Sequence, residues 1–421
     1  MKIGIFCAAT GFGGSQNTTA SMALELARRG HEVELFVDKT RFRTFEDISS
    51  LEFIDLPRRS FSSPVWGYFS IRNAVHAVRE IQKNRCEVML CVGPGHIPTA
   101  MLISALFKIP CVYYALYPFM QLESRLFSFS GFTVANSEET RDSLAKSLEK
   151  SPECIPVVRS RINLDMFALK ATGIDIGPSN VRMSAVMMAR LEHGKSEGVL
   201  LVMESIHKLN KMGKRISLDV IGNGKDISRI QAEADRINAD LGTTVISLRG
   251  PVYSVQNELR KYNIALGIGR CAWEAMACGK PTVVVGREGL GGIVCPENLA
   301  QLMRYNFTAR GNQKKPDAKE VADALETLID NADYRRRLGD YALQVIRKYY
   351  DVKIGAQQLE QIMRNSCLIT FEQCPRLGPS LLVGLIILKI YHVTKCLARW
   401  VLNPYDSVYT LRSVRFQTEL S

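Results

Sequence analysis

The sequence predicts an α/β protein made of two Rossmann-like domains with a cleft between them, followed by a helical C-terminal tail. Apolar strand-like segments alternate with amphipathic helical segments along most of the chain, which is the pattern of parallel βαβ units. Glycine-rich turns follow strands near residue 13 and again near residue 267. The 421 residues are enough for two domains that each have their own core.

The first domain is predicted to span residues 1–170 and begins with a strand, a glycine-rich turn and a helix. Gly13 and Gly14 lie in that turn. A dinucleotide-binding fingerprint would need a third glycine where Gln16 stands, so no nicotinamide cofactor is expected. The apolar segments predict strands at 2–6, 32–37, 51–56, 88–92, 111–114 and 133–135, and helices at 17–29, 68–83, 97–107 and 137–148.

The second domain is predicted to span residues 176–350, after a polar, turn-rich boundary. Gly279 lies where a left-handed helix cap belongs, and Pro281 blocks further helix before the next strand. The expected strands are 184–188, 217–221, 245–250, 263–266 and 282–285, and the expected helices are 271–278, 317–329, 332–349 and 353–364.

A short helix between two of these strands is the strongest candidate for a functional site. A strand, a glycine turn, a helix and a second strand leave first-turn amides facing a crevice at the carboxyl edge of the sheet, where α/β proteins bind anions. Glu274 lies just inside this helix and could accept hydrogen bonds from ligand hydroxyls. The alternative is that an acid in a first turn only offsets the helix dipole.

The segment WEAMACGKPTVV, residues 273–284, resembles the donor-site helix of the family 4 type of retaining glycosyltransferases, whose fold is called GT-B. The resemblance implies that Glu274 contacts the ribose of a nucleotide-sugar. The passage GGSQNTTASMALELARRGHEVELF, residues 13–36, resembles the amino-terminal signature of the same family, which implies that Gly13 and Gly14 abut the donor phosphates and face the acceptor. The alternative is that these glycines only form a tight turn. In this architecture the last helix, residues 351–366, crosses back to the first domain.

Residues 189–195, ARLEHGK, resemble the Gly-Arg-Leu-x-x-x-Lys motif of the same family, whose cations hold the donor diphosphate. Arg190 and Lys195 therefore become the expected diphosphate ligands. A forked guanidinium and an ammonium can neutralise the charge that grows on a departing diphosphate. A basic pair at a helix start is otherwise unfavourable, which also favours a ligand.

The family likeness extends to weaker candidates for substrate contacts. His96 follows a strand at a helix start and could hydrogen-bond a sugar hydroxyl or a phosphate, although a loop histidine is often merely solvated. Arg270 could supply a contact near the donor sugar. The glycine turns and the expected base-binding backbone add the remaining candidates, which are Gly222, Gly250, Val252 and Gly291.

Two positions depart from the family pattern. The family carries a second glutamate eight residues before Glu274, near the donor sugar, and this chain has Leu266 there. A histidine common after the strand at 111–114 is replaced by Ala115, Leu116 and Tyr117. The donor sugar is therefore not identified by the resemblance.

The charge and the cysteine content limit which partners and which cellular compartment are expected. The net charge of +12 favours anionic partners, but it is spread along the chain and no nucleic-acid-binding motif occurs, so no nucleic acid partner is expected. Eleven cysteines are scattered without a CxxC pair, which favours reduced core residues in the cytoplasm over a disulfide or zinc framework. The amino terminus begins at once with a strand, without the long apolar region and cleavage site of a signal peptide, so export is not expected.

The tail, residues 367–421, lies beyond the family likeness. Within 379–402 an apolar run of 381–388 is too short to span a bilayer, which needs about 20 residues. Four basic or histidine residues then recur at three- or four-residue spacing. We expect a helix that lies in the membrane interface and binds the anionic surface of the inner face of the membrane. The alternative is a helix packed on the protein itself.

Taken together, the sequence predicts a glycosyltransferase that needs no metal or other cofactor, and the family resemblance implies that it retains the anomeric configuration. It would move a sugar from a nucleotide-sugar to a glycan or lipid-linked acceptor. Two alternatives remain open at this point: a sugar-nucleotide epimerase on the same scaffold, and a non-catalytic nucleotide-sugar-binding homologue.

Overall fold

The computed structural model describes residues 1–7, 13–44, 47–56, 71–93, 95–118, 132–159, 161–167, 182–192, 194–252, 254–312 and 316–368. The expected membrane-binding segment 379–402 and part of the first glycine turn lie outside these residues. Within the described ranges, no helix is both long and apolar enough to cross a membrane.

The first domain is built on a six-stranded parallel sheet with the order β3-β2-β1-β4-β5-β6. Its strands are short and almost wholly buried, as expected for a sheet covered by helices on both faces. The strands are β1 (Lys2–Cys7), β2 (Glu32–Val37), β3 (Glu52–Asp55), β4 (Val88–Val92), β5 (Cys111–Ala115) and β6 (Phe132–Ala135), and the helices are α1 (Gly14–Arg28), α2 (Ile71–Asn84), α3 (Ile97–Phe107) and α4 (Glu138–Leu148).

Alternate residues of β1 pack on opposite faces of this sheet. Ile3 and Ile5 join the cluster that contains α1, whereas Phe6 joins the cluster with α2 and α3. Gly13 and the start of α1 lie at the carboxyl edge of the sheet. Helix α1 starts at Gly14, three residues earlier than the sequence pattern predicts at Asn17.

The second domain has a sheet of the order β12-β11-β10-β7-β8-β9, which is parallel except for β12. Its strands are β7 (Met183–Met188), β8 (Ile216–Ile221), β9 (Ile246–Gly250), β10 (Ile264–Gly267), β11 (Thr282–Gly286) and β12 (Gly289–Ile293). Its helices are α5 (Ser196–Lys211), α6 (Ile227–Leu241), α7 (Val255–Leu259), α8 (Arg270–Ala277), α9 (Leu299–Arg304), α10 (Ala318–Asp330) and α11 (Ala332–Tyr349).

Residues Gly289–Ile293 form a strand, β12, rather than the glycine turn that the sequence pattern predicts around Gly291. The strand pairs antiparallel with β11 with a bulge at Gly291, whose carbonyl oxygen accepts a hydrogen bond from Asn298 Nδ2 at 2.9 Å. A β-carbon on Gly291 would lie 2.6 Å from Leu302 Cδ2, so glycine lets this strand lie against α9.

The last described helix, α12 (Val352–Leu368), packs against α1 of the first domain. Val352, Ala356 and Leu359 lie on one face and join the core that contains Ile5 and Met22. Arg29 at the end of α1 donates to Glu360 at 2.8 Å. The chain therefore leaves the second domain and returns to the first.

Candidate active site in the cleft between the domains

A cavity of about 420 Å³ lies between the two domains at the carboxyl edges of both sheets. This is the location where parallel α/β sheets bind ligands. The first domain contributes Gly13, Gly14 and Asn17 from the start of α1. The second domain contributes Met188, Ala189, Arg190, Lys195, Ile221, Gly222, Asn223, Pro251, Val252, Val255, Arg270, Cys271 and Glu274. Eight of the sequence-predicted site residues therefore line one cavity: Gly13, Gly14, Arg190, Lys195, Gly222, Val252, Arg270 and Glu274.

Arg190 crosses the cleft towards the first domain. It follows β7, and its Nη2 lies 3.0 Å from the point that a β-carbon on Gly13 would occupy. Its Nη1 lies 3.4 Å from Glu192, which holds the side chain near the loop. The guanidinium thus faces the amino-terminal end of α1, where backbone amides also favour an anion.

Lys195 immediately precedes α5 and is exposed on the cavity side. It enters the lining together with Arg190, so the two cations can act on one bound anion. A cation at this end of a helix is disfavoured by the helix dipole. A ligand phosphate beside it would offset that cost.

Glu274 is held in place by a neighbour one helical turn earlier. Arg270 Nε donates to Glu274 Oε1 at 2.7 Å, and both side chains are at least nine-tenths buried. Arg270 Nη1 also donates to the backbone oxygen of Arg161 at 3.1 Å, which links α8 to the segment that joins the domains. The carboxylate therefore has a fixed orientation at the cavity wall, where it can accept a hydrogen bond from a ligand hydroxyl.

Gly222 lines the cavity where its backbone approaches that of Ala189 closely. Its φ is +154°, and a β-carbon there would lie 1.8 Å from the carbonyl oxygen of Ala189. Its N–H donates to the oxygen of Gly250 at 3.0 Å. Gly250 is thus a support for the floor, and among the described residues it is Val252, two residues later, that lines the cavity.

Two sequence-predicted residues lie away from this cavity. His96 is only 1% exposed, packs against Phe6 with ring centroids 6.2 Å apart, and is not among the described lining residues. Burial lowers the pKa of His96 to about 4, so its imidazole is neutral at pH 7. Gly291 borders a separate cavity of about 40 Å³ against α9.

Leu266, at the position where the sequence comparison expects a second carboxylate, is buried in the sheet core at 2% exposure. It lies within β10 and faces away from the cleft cavity. Gly267 and Gly269 then turn the chain directly into α8, and the Gly269 N–H donates to the oxygen of Phe307 at 2.8 Å.

Sequence reasoning missed two features of the site. Asn17 and Cys271 line the cavity, and burial raises the pKa of the Cys271 thiol to about 12. A second cavity, of about 210 Å³, adjoins the first and shares Arg190 and Lys195 with it. Its far wall includes Thr308 and Arg310, which lie far from the recognised motifs in sequence and carried no signal of their own.

The two halves of the chain match two family models. Residues 12–165 match Glycosyltransferase Family 4, and residues 182–345 match Glycosyl transferases group 1, so more than half of the chain is covered. The chain belongs to the family 4 type of glycosyltransferases. As a glycosyltransferase, it is an enzyme of sugar transfer, which sets aside the epimerase and the non-catalytic binding protein. A comparison with curated proteins found no match.

Solved structures share the GT-B fold of this glycosyltransferase. HepE of Anabaena in complex with UDP has a TM-score of 0.66 at 15% identity, covering 87% of this chain and 100% of that one. A glycosyltransferase from Rickettsia africae has a TM-score of 0.66 at 16% identity, covering 88% and 99%. Sucrose-phosphate synthase from Thermosynechococcus elongatus has a TM-score of 0.60 at 14% identity, covering 86% and 99%. At these identities the likeness shows the fold alone.

Proposed function

We propose that this glycosyltransferase moves a sugar from a nucleotide-sugar to a glycan or lipid-linked acceptor, with retention of anomeric configuration and without a metal ion. The observation that carries the proposal is the shared cavity: Arg190, Lys195 and Glu274 line it together with Gly13 and Gly14 of the other domain. One ligand with a diphosphate, a ribose and a planar base could contact all of these residues at once.

The chemistry of the lining suggests how a donor is oriented. Pro251, Val252 and Val255 form an apolar wall suited to the flat base of a nucleotide. Glu274 lies in the same cavity with its carboxylate fixed by Arg270, where it can accept hydrogen bonds from the ribose hydroxyls. HepE of Anabaena was solved with UDP, which makes UDP the first nucleotide to test here.

Arg190 and Lys195 would act on the leaving group. When the bond between the anomeric carbon and the diphosphate oxygen breaks, its electron pair stays on that oxygen. Two cations directed at the growing negative charge lower the barrier, because they are in place before reaction. A new bond forms from the acceptor hydroxyl oxygen to the anomeric carbon, and the hydroxyl proton is released. EDTA should leave the rate unchanged if these cations replace a metal.

The proposal is tested by charge removal at the diphosphate position. A panel of UDP- and GDP-sugars is first screened by thermal shift, because a ligand that binds only the folded protein raises its melting temperature. Arg190→Ala and Lys195→Ala should then lower the release of nucleoside diphosphate from the best donor by about 10²-fold or more. Lys208→Ala, an exposed lysine near the other end of α5, serves as the matched control. Wild-type rates in both cleft variants would refute the assignment.

The membrane part of the prediction rests on the sequence alone. The basic and apolar pattern of 379–402 supports binding to an anionic surface, which would bring a lipid-linked acceptor to the cleft. Sedimentation of the full chain with vesicles of anionic lipid, compared with a chain ending at residue 368, tests this. Equal binding by both chains would refute it.

A further inference from the structure

The second cavity adjoins the cleft cavity, and its described lining does not include the apolar wall of Pro251, Val252 and Val255. Both cavities are lined by Met188, Ala189, Arg190, Lys195 and Cys271. The shared boundary therefore contains the two cations, Arg190 and Lys195, to which the proposed function assigns the diphosphate. A donor whose base occupies the first cavity and whose diphosphate lies at the boundary must place its sugar in the second.

The second cavity is bounded by the carboxyl ends of two strands and by one irregular segment. Gly267 ends β10, and Gly286 ends β11. The opposite wall, with Thr308 and Arg310, belongs to a segment in which Asn306, Phe307 and Ala309 have φ values of +53°, +57° and +61°. Non-glycine residues in this left-handed region are uncommon and cluster at functional sites.

This strained segment is anchored by its central residue. Phe307 is fully buried, and its ring packs edge-on against Trp273 of α8 and Tyr350. Its backbone oxygen accepts the Gly269 N–H at 2.8 Å. The wall of the second cavity is therefore fixed to the helix that carries Glu274, and it has the rigidity of a binding site.

The described lining of the second cavity is strongly cationic. It contains Arg190, Lys195, Arg287 and Arg310, against the single acid Glu288. Arg190 and Lys195 are accounted for by the diphosphate. Arg310 is bound to Glu139 by three hydrogen bonds. Arg287 is the positive charge that remains for another group.

Arg287 lies where the sugar would be bound. It follows β11 directly, and its Nη1 lies 2.5 Å from the point that a β-carbon on Gly194 would occupy, so the guanidinium rests against the loop that leads to Lys195. Among the residues that the structure describes, Arg287 takes part in no ion pair. A carboxylate on the sugar could accept two parallel hydrogen bonds from this guanidinium.

We propose that the transferred sugar carries a carboxylate, as a uronic acid does, and that Arg287 determines this specificity by binding it. The inference rests on the proposed function, since it takes the diphosphate to lie at Arg190 and Lys195. Leu266 strengthens the inference. It stands where the family pattern has a glutamate near the donor sugar, and because it is apolar and buried, the cavity lacks that negative charge. Arg287 is solvent-exposed, and a neutral sugar would offer it no charged partner.

The test uses donors that differ only in the carboxylate. Dissociation constants of the full chain are measured by calorimetry for UDP-glucose against UDP-glucuronate, for GDP-mannose against GDP-mannuronate, and for UDP and GDP alone. The acidic member of one pair should bind about tenfold more tightly, the size of one charge-assisted contact. In Arg287→Gln that preference should fall to within about twofold, whereas Arg287→Lys should keep part of it. Arg236→Gln, an exposed arginine on α6, is the matched control.

Each outcome bears on the proposal. A neutral donor that binds as tightly as its acidic partner overturns it, and so does an unchanged preference in Arg287→Gln. If Arg287→Gln weakens UDP, acidic donor and neutral donor equally, Arg287 binds the diphosphate and the proposal is also wrong. In all three cases the proposed transferase function stands, because nucleotide binding persists. If no UDP or GDP compound binds, both the function and this inference fail.

Discussion

The guanidinium of Arg310 in the second domain forms a forked pair with the carboxylate of Glu139 in the first. Arg310 Nε donates to Oε1 at 2.8 Å, and Nη2 donates to Oε2 at 2.6 Å. Both side chains are largely covered, at 31% and 18% exposure. Arg304 makes a second ion pair across the cleft, through one hydrogen bond to Asp142 of the same helix, α4. The side of the cleft next to the second cavity is thus held by paired charges.

Removing this pair should open the cleft. Glu139→Gln keeps the size of the side chain but loses the charge, so these hydrogen bonds weaken and the second cavity widens. We expect the radius of gyration with saturating UDP, measured by X-ray scattering, to increase, and the dissociation constant for the preferred donor to rise about threefold. Glu149→Gln, at the end of the same helix and exposed to solvent, is the control. An unchanged scattering curve would show that this pair does not hold the domains together.

The position of Gly222 makes a separate prediction about the cleft floor. In Gly222→Ala the new methyl group would collide with the carbonyl of Ala189, next to Arg190, so β7 and β8 must separate at their ends. Gly213→Ala is the comparison, since Gly213 also has a positive φ, of +84°, but has nothing within 4 Å of the added atom. We expect Gly213→Ala to cost about 1 kcal/mol of unfolding free energy and Gly222→Ala clearly more. Urea denaturation measures both, and equal losses would contradict this account.

Arg270 should be needed to orient Glu274. Removing one member of a buried pair costs about 3 kcal/mol, because the other charge keeps its desolvation penalty. Arg270→Ala should therefore lower the unfolding free energy and also weaken UDP binding, measured by calorimetry. Arg336→Ala breaks an exposed pair with Asp333 and should change stability by less than about 1 kcal/mol. UDP affinity that survives in Arg270→Ala would argue against a ribose contact by Glu274.

The residues that sequence reasoning brought together share one physical property. Arg190, Lys195 and Gly222 all follow strands of one parallel sheet, and such strands end at one edge, so local patterns place them side by side. The donor helix could also be predicted from a local pattern, because Gly279 and Pro281 mark its end in the sequence.

The parts that were missed or misread depend on contacts that local patterns do not carry. Gly291 lies in a strand because its neighbours Leu290 and Gly292 pair with β11, while Gly291 itself forms a bulge, a position where glycine is common. Arg310 reaches the cleft because Phe307 is held in a left-handed conformation by α8 and Tyr350. His96 looks like a ligand in sequence, and its burial beside Phe6 follows only from the packing of α3 on β1 and β4.

The burial of His96 predicts how stability depends on pH. Burial lowers the pKa of His96 from 6.5 to about 4, against a small opposing effect of Asp38. The unfolded chain therefore binds this proton more readily than the folded protein, and stability must fall as the pH drops from about 6.5 towards 4. Above pH 6.5 the unfolded chain no longer binds this proton, so the protein keeps the full unfolding free energy at this site. The expected loss across this window is on the order of 3 kcal/mol.

His96→Gln should remove this part of the pH dependence, because glutamine keeps a polar side chain but does not titrate. Urea denaturation at pH 4.5, 5.5, 6.5 and 7.5 should give a flatter stability profile for the variant, and the two proteins should differ by a constant amount above pH 7. Some slope will remain, since burial also lowers the pKa of His31 beside Glu360. Parallel profiles across the whole range would mean that His96 is already solvated in the folded protein, which would restore it as a candidate for contact with the substrate.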